Sequence, residues 1–106
     1  MYDELLMPEG LDALITSLCA DYSRRAEVIS NRDAPYNVIM EYRFLNYRIM
    51  NAAIEIAGPR DAIRFIKDIG DNIGYADSEL WVLSERFYKI RKREVKYNIA
   101  RRLSLI

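Results

Sequence analysis

The sequence predicts an all-α protein, a compact bundle of four to five helices in a single domain of residues 1–106. Three observations carry this. Apolar residues recur at spacings of three and four along most of the chain, the period of a helix face. Three prolines and four glycines in 106 residues are too few for the turns of an all-β protein. The segments between apolar stretches are only a few residues long, as in compact helical bundles. No stretch alternates convincingly as a strand, and no repeat, low-complexity run or linker divides the chain.

Pro8 suits the first turn of a helix. Leu11, Leu14, Ile15, Leu18, Cys19, Tyr22 and Ala26 then form one apolar stripe, with Asp12, Ser17, Asp21, Arg24, Arg25 and Glu27 mostly opposite. Cys19 lies in the stripe and is expected to be a small core hydrophobe. The stretch Ser30 to Pro35 reads as a turn, with Asp33 expected to cap the next helix and Pro35 in its first turn. That helix is expected over 35–57. Val38, Tyr42, Leu45, Ile49, Ala52 and Ile56 form its stripe, and Ile39, Phe44, Tyr47, Met50, Ala53 and Ile54 widen it. Such an apolar helix is expected at the centre of the bundle or against a second subunit, with Asn46 and Asn51 needing partners. Gly58-Pro59 is expected to end it. A third helix follows, buried through Ala62, Ile63, Phe65, Ile66, Ile69 and Ile73.

From Ile66 onwards the chain has the outline of a helix-turn-helix unit, over about 62–90. Gly70 is the small residue expected where the two helices cross. Gly74 is the expected turn glycine, with positive φ. Leu80 and Leu83 face inwards on a second helix expected to begin near Ser78. That helix becomes basic past Ser84 and carries two apolar stripes. Leu80, Leu83, Phe87 and Ile90 form one, and Tyr88, Val95, Ile99, Leu103 and Ile106 the other, with Arg91-Lys92-Arg93-Glu94 between them. Either the helix breaks at that interruption, or one long helix packs its halves on different neighbours.

Net charge is zero, but it is unevenly distributed. Residues 1–84 hold 8 basic and 14 acidic side chains, and residues 85–106 hold 8 basic and 2 acidic ones. A basic chain end points to an acidic partner, for which double-stranded DNA is the first expectation, or to an acidic body and a basic helix that neutralise each other within a dimer. The outward positions Ser78, Glu79, Trp81, Val82 and Glu85 are candidates for reading bases. Arg86, Lys89, Arg91, Lys92, Arg93 and Lys96 are candidates for holding phosphates. Because Arg91 and Lys92 sit in the interruption of the stripes, replacing both with alanine is expected to abolish DNA binding and spare folding. A homodimer is expected, since palindromic readout and a small core both favour one. Among the eight tyrosines, Tyr88 and Tyr97 are the ones placed to stack on bases.

The pattern Ile69-Gly70, Gly74-Tyr75, Ser78, Phe87-Tyr88, Arg91-Lys92, Val95, Ile99-Ala100 and Leu103 resembles the C-terminal part of phage-encoded transcriptional regulators of the RinA/ArpU or sigma-region-4-like type. The resemblance implies a helix-turn-helix that binds promoter DNA and regulates phage genes. It also implies Ser78 to Val82 as reading positions, with the basic residues after them.

No enzymatic reading competes. The chain has no histidine and one cysteine, so no Cys-His pair and no usual zinc ligand set can be built, and no catalytic, metal or cofactor site is expected. Carboxylate neighbours such as Asp68/Asp71 fit solvated helix faces. Gly70 to Gly74 lacks the Lys-Ser/Thr of a phosphate loop. The acidic start Met1-Tyr2-Asp3-Glu4 does not read as a signal peptide, and no run approaches the ~18 apolar residues of a membrane span. With a lone cysteine, a cytoplasmic location and no membrane partner are expected. The alternative expectation is a non-enzymatic helical module that binds another protein through its Tyr-rich second helix.

Overall fold

The structure, a computed structural model, describes residues 7–31, 33–80 and 82–106. Its elements are α1 (Glu9–Ala20), α2 (Tyr22–Ile29), α3 (Tyr36–Gly70), a short 3₁₀ turn (Tyr75–Asp77) and α4 (Glu85–Arg102). No strand occurs among the described residues, as the spacing predicts.

The four to five separate helices expected resolve into three helical rods. α1 and α2 join through Asp21 alone, whose φ of −87° and ψ of 0° stay right-handed. Its N–H bonds back to Ser17 O, and Arg25 N–H bonds to Asp21 O, so the ladder continues through the junction. α3 is the second rod. As expected, the first helical segment ends at Gly58, whose φ of 82° and ψ of 163° are not helical, and a second starts at Pro59, so α3 is two helices joined across a kink. α4 is the third rod, unbroken across Arg91 to Glu94.

α3 is central and packs against α1, α2 and α4. The core joins Ile15 and Cys19 of α1 to Ile49, Ala52, Ala53, Ala62, Phe65, Ile66 and Ile69 of α3, with Leu80 and with Tyr88, Val95, Ile99 and Ala100 of α4. The expected stripes hold, with instructive exceptions. Leu14, Phe44, Tyr47, Phe87 and Ile106 are exposed, and Arg25 is buried where Ala26 was expected. Arg25 is accommodated by hydrogen bonds. Its Nε donates to Asn46 Oδ1 at 2.7 Å, a terminal nitrogen donates to Leu18 O, and Asn46 Nδ2 donates to Tyr22 O at 3.1 Å. This clamp supplies the partners that Asn46 needs and ties α2 to α3. Asp33 does not cap α3: Pro35 holds that position, and no side chain bonds to the helix start.

α3 ends in a left-handed cap. Asn72 carries the positive φ of 54°, and Ile73 N–H reaches back to Asp68 O at 2.9 Å. Asparagine tolerates this conformation because its short polar side chain bonds locally. Gly74, expected to do so, is extended at φ −91° and ψ 177°.

Candidate nucleic-acid interface

The basic helix begins later than its periodicity suggests. The expected start at Ser78 is corrected to Glu85, with Ser84 as its cap and the Ser84 Oγ accepting from Phe87 N–H at 3.2 Å. Ser78 is occupied elsewhere. It is buried, its hydroxyl donates to Asp68 Oδ2, and it accepts from Leu80 N–H at 3.1 Å. That turn drives Leu80 into the core and uses up the segment in which a helix was expected. A connection of 71–84 therefore separates the two helices, where a compact helix-turn-helix has a turn of three or four residues. Gly70 does make a close crossing, but its neighbour is the α1–α2 junction. An added Cβ would lie 2.6 Å from Ala20 N and 2.8 Å from Cys19 C.

Asp68 is the hub that positions α4. Buried on α3, it accepts from Ser78 Oγ and from Tyr88 Oη at 2.8 Å. The Tyr88 ring stacks on Phe65 with centroids 5.6 Å apart and meets Tyr75 at 5.5 Å. Tyr75 Oη donates to Leu83 O at 2.6 Å, which pins the loop before α4. Tyr88 is thus a core residue and is removed as a base-stacking candidate, while Tyr97 is half-buried.

Tyr88 is the single buried residue in the first half of α4. Glu85, Arg86, Phe87, Lys89 and Arg93 are exposed there. The phosphate candidates separate into two groups. Arg91 donates to Ile56 O at 2.8 Å, beside the bend at Gly58, and Lys92 donates to Ile73 O in the connection that follows α3. Both bind backbone carbonyls of other elements, one beside the bend and one in the connection after α3, so the expectation that their loss would spare folding is corrected. Lys96 pairs with Asp12 at 2.9 Å across to α1. Arg86 and Arg93 have no ion-pair partner among the described residues, and Lys89 pairs with Glu85 on its own helix at 3.1 Å, at the exposed surface. Such a surface pair exchanges readily for another anion.

Among the base candidates, buried Ser78 is withdrawn. Glu79 is exposed and lies 3.7 Å from Arg64, Val82 is exposed, and Glu85 faces solvent beside Lys89. Trp81 lies outside the described residues.

Lys89, Lys92, Arg93 and Lys96 converge on a shallow cleft of about 210 Å³ floored by Gly74, Tyr75 and Tyr88. Burial pushes the Lys92 ammonium below its usual range, and the neighbouring Lys96 charge adds to this. On the other side of α4 a groove of about 330 Å³ is lined by Arg86, Phe87, Ile90, Arg91 and Glu94. The helix therefore presents cations on both flanks of its exposed half. Among the described residues no cluster of His, Cys, Asp or Glu could hold a metal ion, and no helix is long and apolar enough to cross a membrane.

Two buried acids make stability fall at high pH. Burial raises the Cys19 thiol to about 12, and burial followed by the Asp68 hydrogen bond raises the Tyr88 phenol to about 12. The folded state holds both protons more tightly than the unfolded chain, whose values are 9.0 and 10.0. Their contribution is complete below pH 9 and is lost as pH rises from there through about 12. Thermal melts between pH 7 and 11 should show Tm level at first and then falling. A smaller fall in Cys19→Ala would identify the thiol's share.

No known protein family matches this chain, and no characterised protein or solved structure is significantly similar to it.

Proposed function

We propose that this protein is a small DNA-binding regulator of the phage type that residues 69–103 resemble. It sets the exposed first half of α4 against a duplex. The observation that supports this reading is the placement of Arg86, Lys89 and Arg93. They project from a helix that Asp68, Tyr88, Arg91 and Lys92 hold rigidly to the body. Helices that enter the major groove use their N-terminal turns to reach base edges, and cations on their flanks hold the phosphates. Here Arg86, Lys89 and Arg93 take the phosphates, and Glu85 with Val82 faces the groove. Glu85 suits a cytosine amino group as acceptor.

Fluorescence anisotropy with labelled random duplex tests this at about 50 and 200 mM salt, where binding should collapse steeply at the higher value. Arg86→Gln, Lys89→Gln and Arg93→Gln together should lower the salt slope by about 3, roughly one per lost phosphate contact, with an unchanged Tm. By contrast, Arg91→Ala with Lys92→Ala should lower Tm. Absence of binding at either salt would reject the reading. A protein-binding module is the second reading, favoured by the exposed apolar stripe Tyr36, Met40, Phe44 and Tyr47 on α3.

A further inference from the structure

The first half of α3 leaves a run of apolar side chains in solvent. Tyr36 is 77% exposed, Met40 41%, Phe44 59% and Tyr47 67%. At 100° per residue they fall within an arc of about 80°, one continuous stripe. Glu41 and Arg48 lie two turns apart on one flank of it. The Arg48 guanidinium sits 4.5 Å over the Phe44 ring and donates to Arg102 O at 2.9 Å, which holds it beside the stripe. Glu41 has no ion-pair partner among the described residues.

We infer that this stripe is the interface of a homodimer, in which two copies of α3 pair antiparallel about a two-fold axis between residues 44 and 45. Three features select a second copy as the occupant. A two-fold axis across antiparallel helices sets like flanks against each other, so Glu41 meets Arg48 of the second copy, and the pair occurs twice. The same axis brings Tyr47, Phe44 and Met40 of the second copy level with positions 42, 45 and 49. Tyr47 and Met40 of the second copy fall between stripe residues of the first helix, while the two Phe44 rings meet across the axis. Finally, even fully covered these side chains offer roughly 600 Å² per copy, so the pair buries at most about 1,200 Å², the lower bound of a specific interface. The same axis sets the two copies of Arg43 about 5 Å apart along the other flank, and a parallel pairing would offset Glu41 from Arg43 by about 3 Å, so the cross-link below decides between the two orientations.

This inference does not rest on the DNA reading, and sedimentation tests it without DNA. The full chain should sediment as a dimer at about 100 μM, and Phe44→Glu should weaken the dimer by roughly 30-fold or more while the circular dichroism stays unchanged. Glu41→Arg alone and Arg48→Glu alone should each weaken self-association, and an equimolar mixture of the two should restore it as a heterodimer. Air oxidation gives the register. Phe44→Cys should cross-link across the axis, whereas the two copies of Tyr36→Cys lie about 25 Å apart along the helices and should not. Buried Cys19 stays silent in this assay. A monomer at that concentration would overturn the inference, as would no recovery in the mixture, or cross-linking through Tyr36→Cys as readily as through Phe44→Cys.

Discussion

Replacing Gly70 with alanine should destabilise the protein by about 2–3 kcal/mol, even though alanine is the better helix former by roughly 1 kcal/mol. The added Cβ would lie 2.6 Å from Ala20 N, 2.7 Å from Ala20 Cα and 2.8 Å from Cys19 C. All three are backbone atoms of the α1–α2 junction, so no side chain can rotate away. α1 would have to withdraw as a unit, opening the contact of Ile15 and Cys19 with α3. The matched control is Gly74→Ala, which meets nothing within 4 Å and starts from an ordinary negative φ. It should leave stability within about 0.5 kcal/mol of the wild type, or raise it slightly by stiffening the unfolded chain. Urea midpoints of the two variants make the comparison. Equal effects would show that the close crossing does not constrain the fold.

Asp68→Ala should be about as damaging, at roughly 3 kcal/mol. The carboxylate accepts two buried hydroxyls, Ser78 Oγ and Tyr88 Oη, and its removal leaves both short of a partner. Tyr88 Oη retains a longer contact to Ile73 O at 3.3 Å, but Ser78 retains no other acceptor. Beyond the loss of stability, the loop before α4 should loosen. Hydrogen exchange should accelerate at Leu80 and Leu83, whose N–H groups bond to Ser78 Oγ and Leu80 O within that loop. The exposed neighbour Asp71, replaced with alanine, should change stability by less than about 0.5 kcal/mol. An unchanged urea midpoint for Asp68→Ala would show that the hub does not hold α4 in place.

The comparison of Ser78 with Ser84 shows where the sequence is readable and where it is not. Both are serines ahead of an acidic residue, and either could cap a helix. A cap is worth about 1 kcal/mol, which is too little to decide between them locally. Asp68 decides, ten residues upstream of Ser78 and on another helix: it takes the Ser78 hydroxyl and leaves Ser84 as the cap. A signal for the later start does exist, because the run Glu85 to Glu94 is richer in strong helix formers than Ser78 to Leu83. The left-handed position was misplaced for a related reason. Glycine is the usual choice for positive φ, yet Asn72 takes it, since α3 runs on to Gly70 and its cap falls two residues later.

The cations divide on the same principle. Composition shows eight basic residues in the last 22, but not that Arg91 closes a carbonyl beside the bend in α3, that Lys92 holds the connection after α3, or that Lys96 reaches Asp12 on α1. Those bonds join residues 19 to 84 positions apart in the chain. The helical class, most of the apolar stripes of the three rods and the concentration of positive charge in the last one are readable from the chain alone. These follow from periodicity and composition, which act along the chain. Where α4 begins, which of its cations remain free for a partner, and that Gly70 serves the crossing with α1 are set by folding. Each of these depends on a group brought near by folding, and no local pattern encodes such a neighbour.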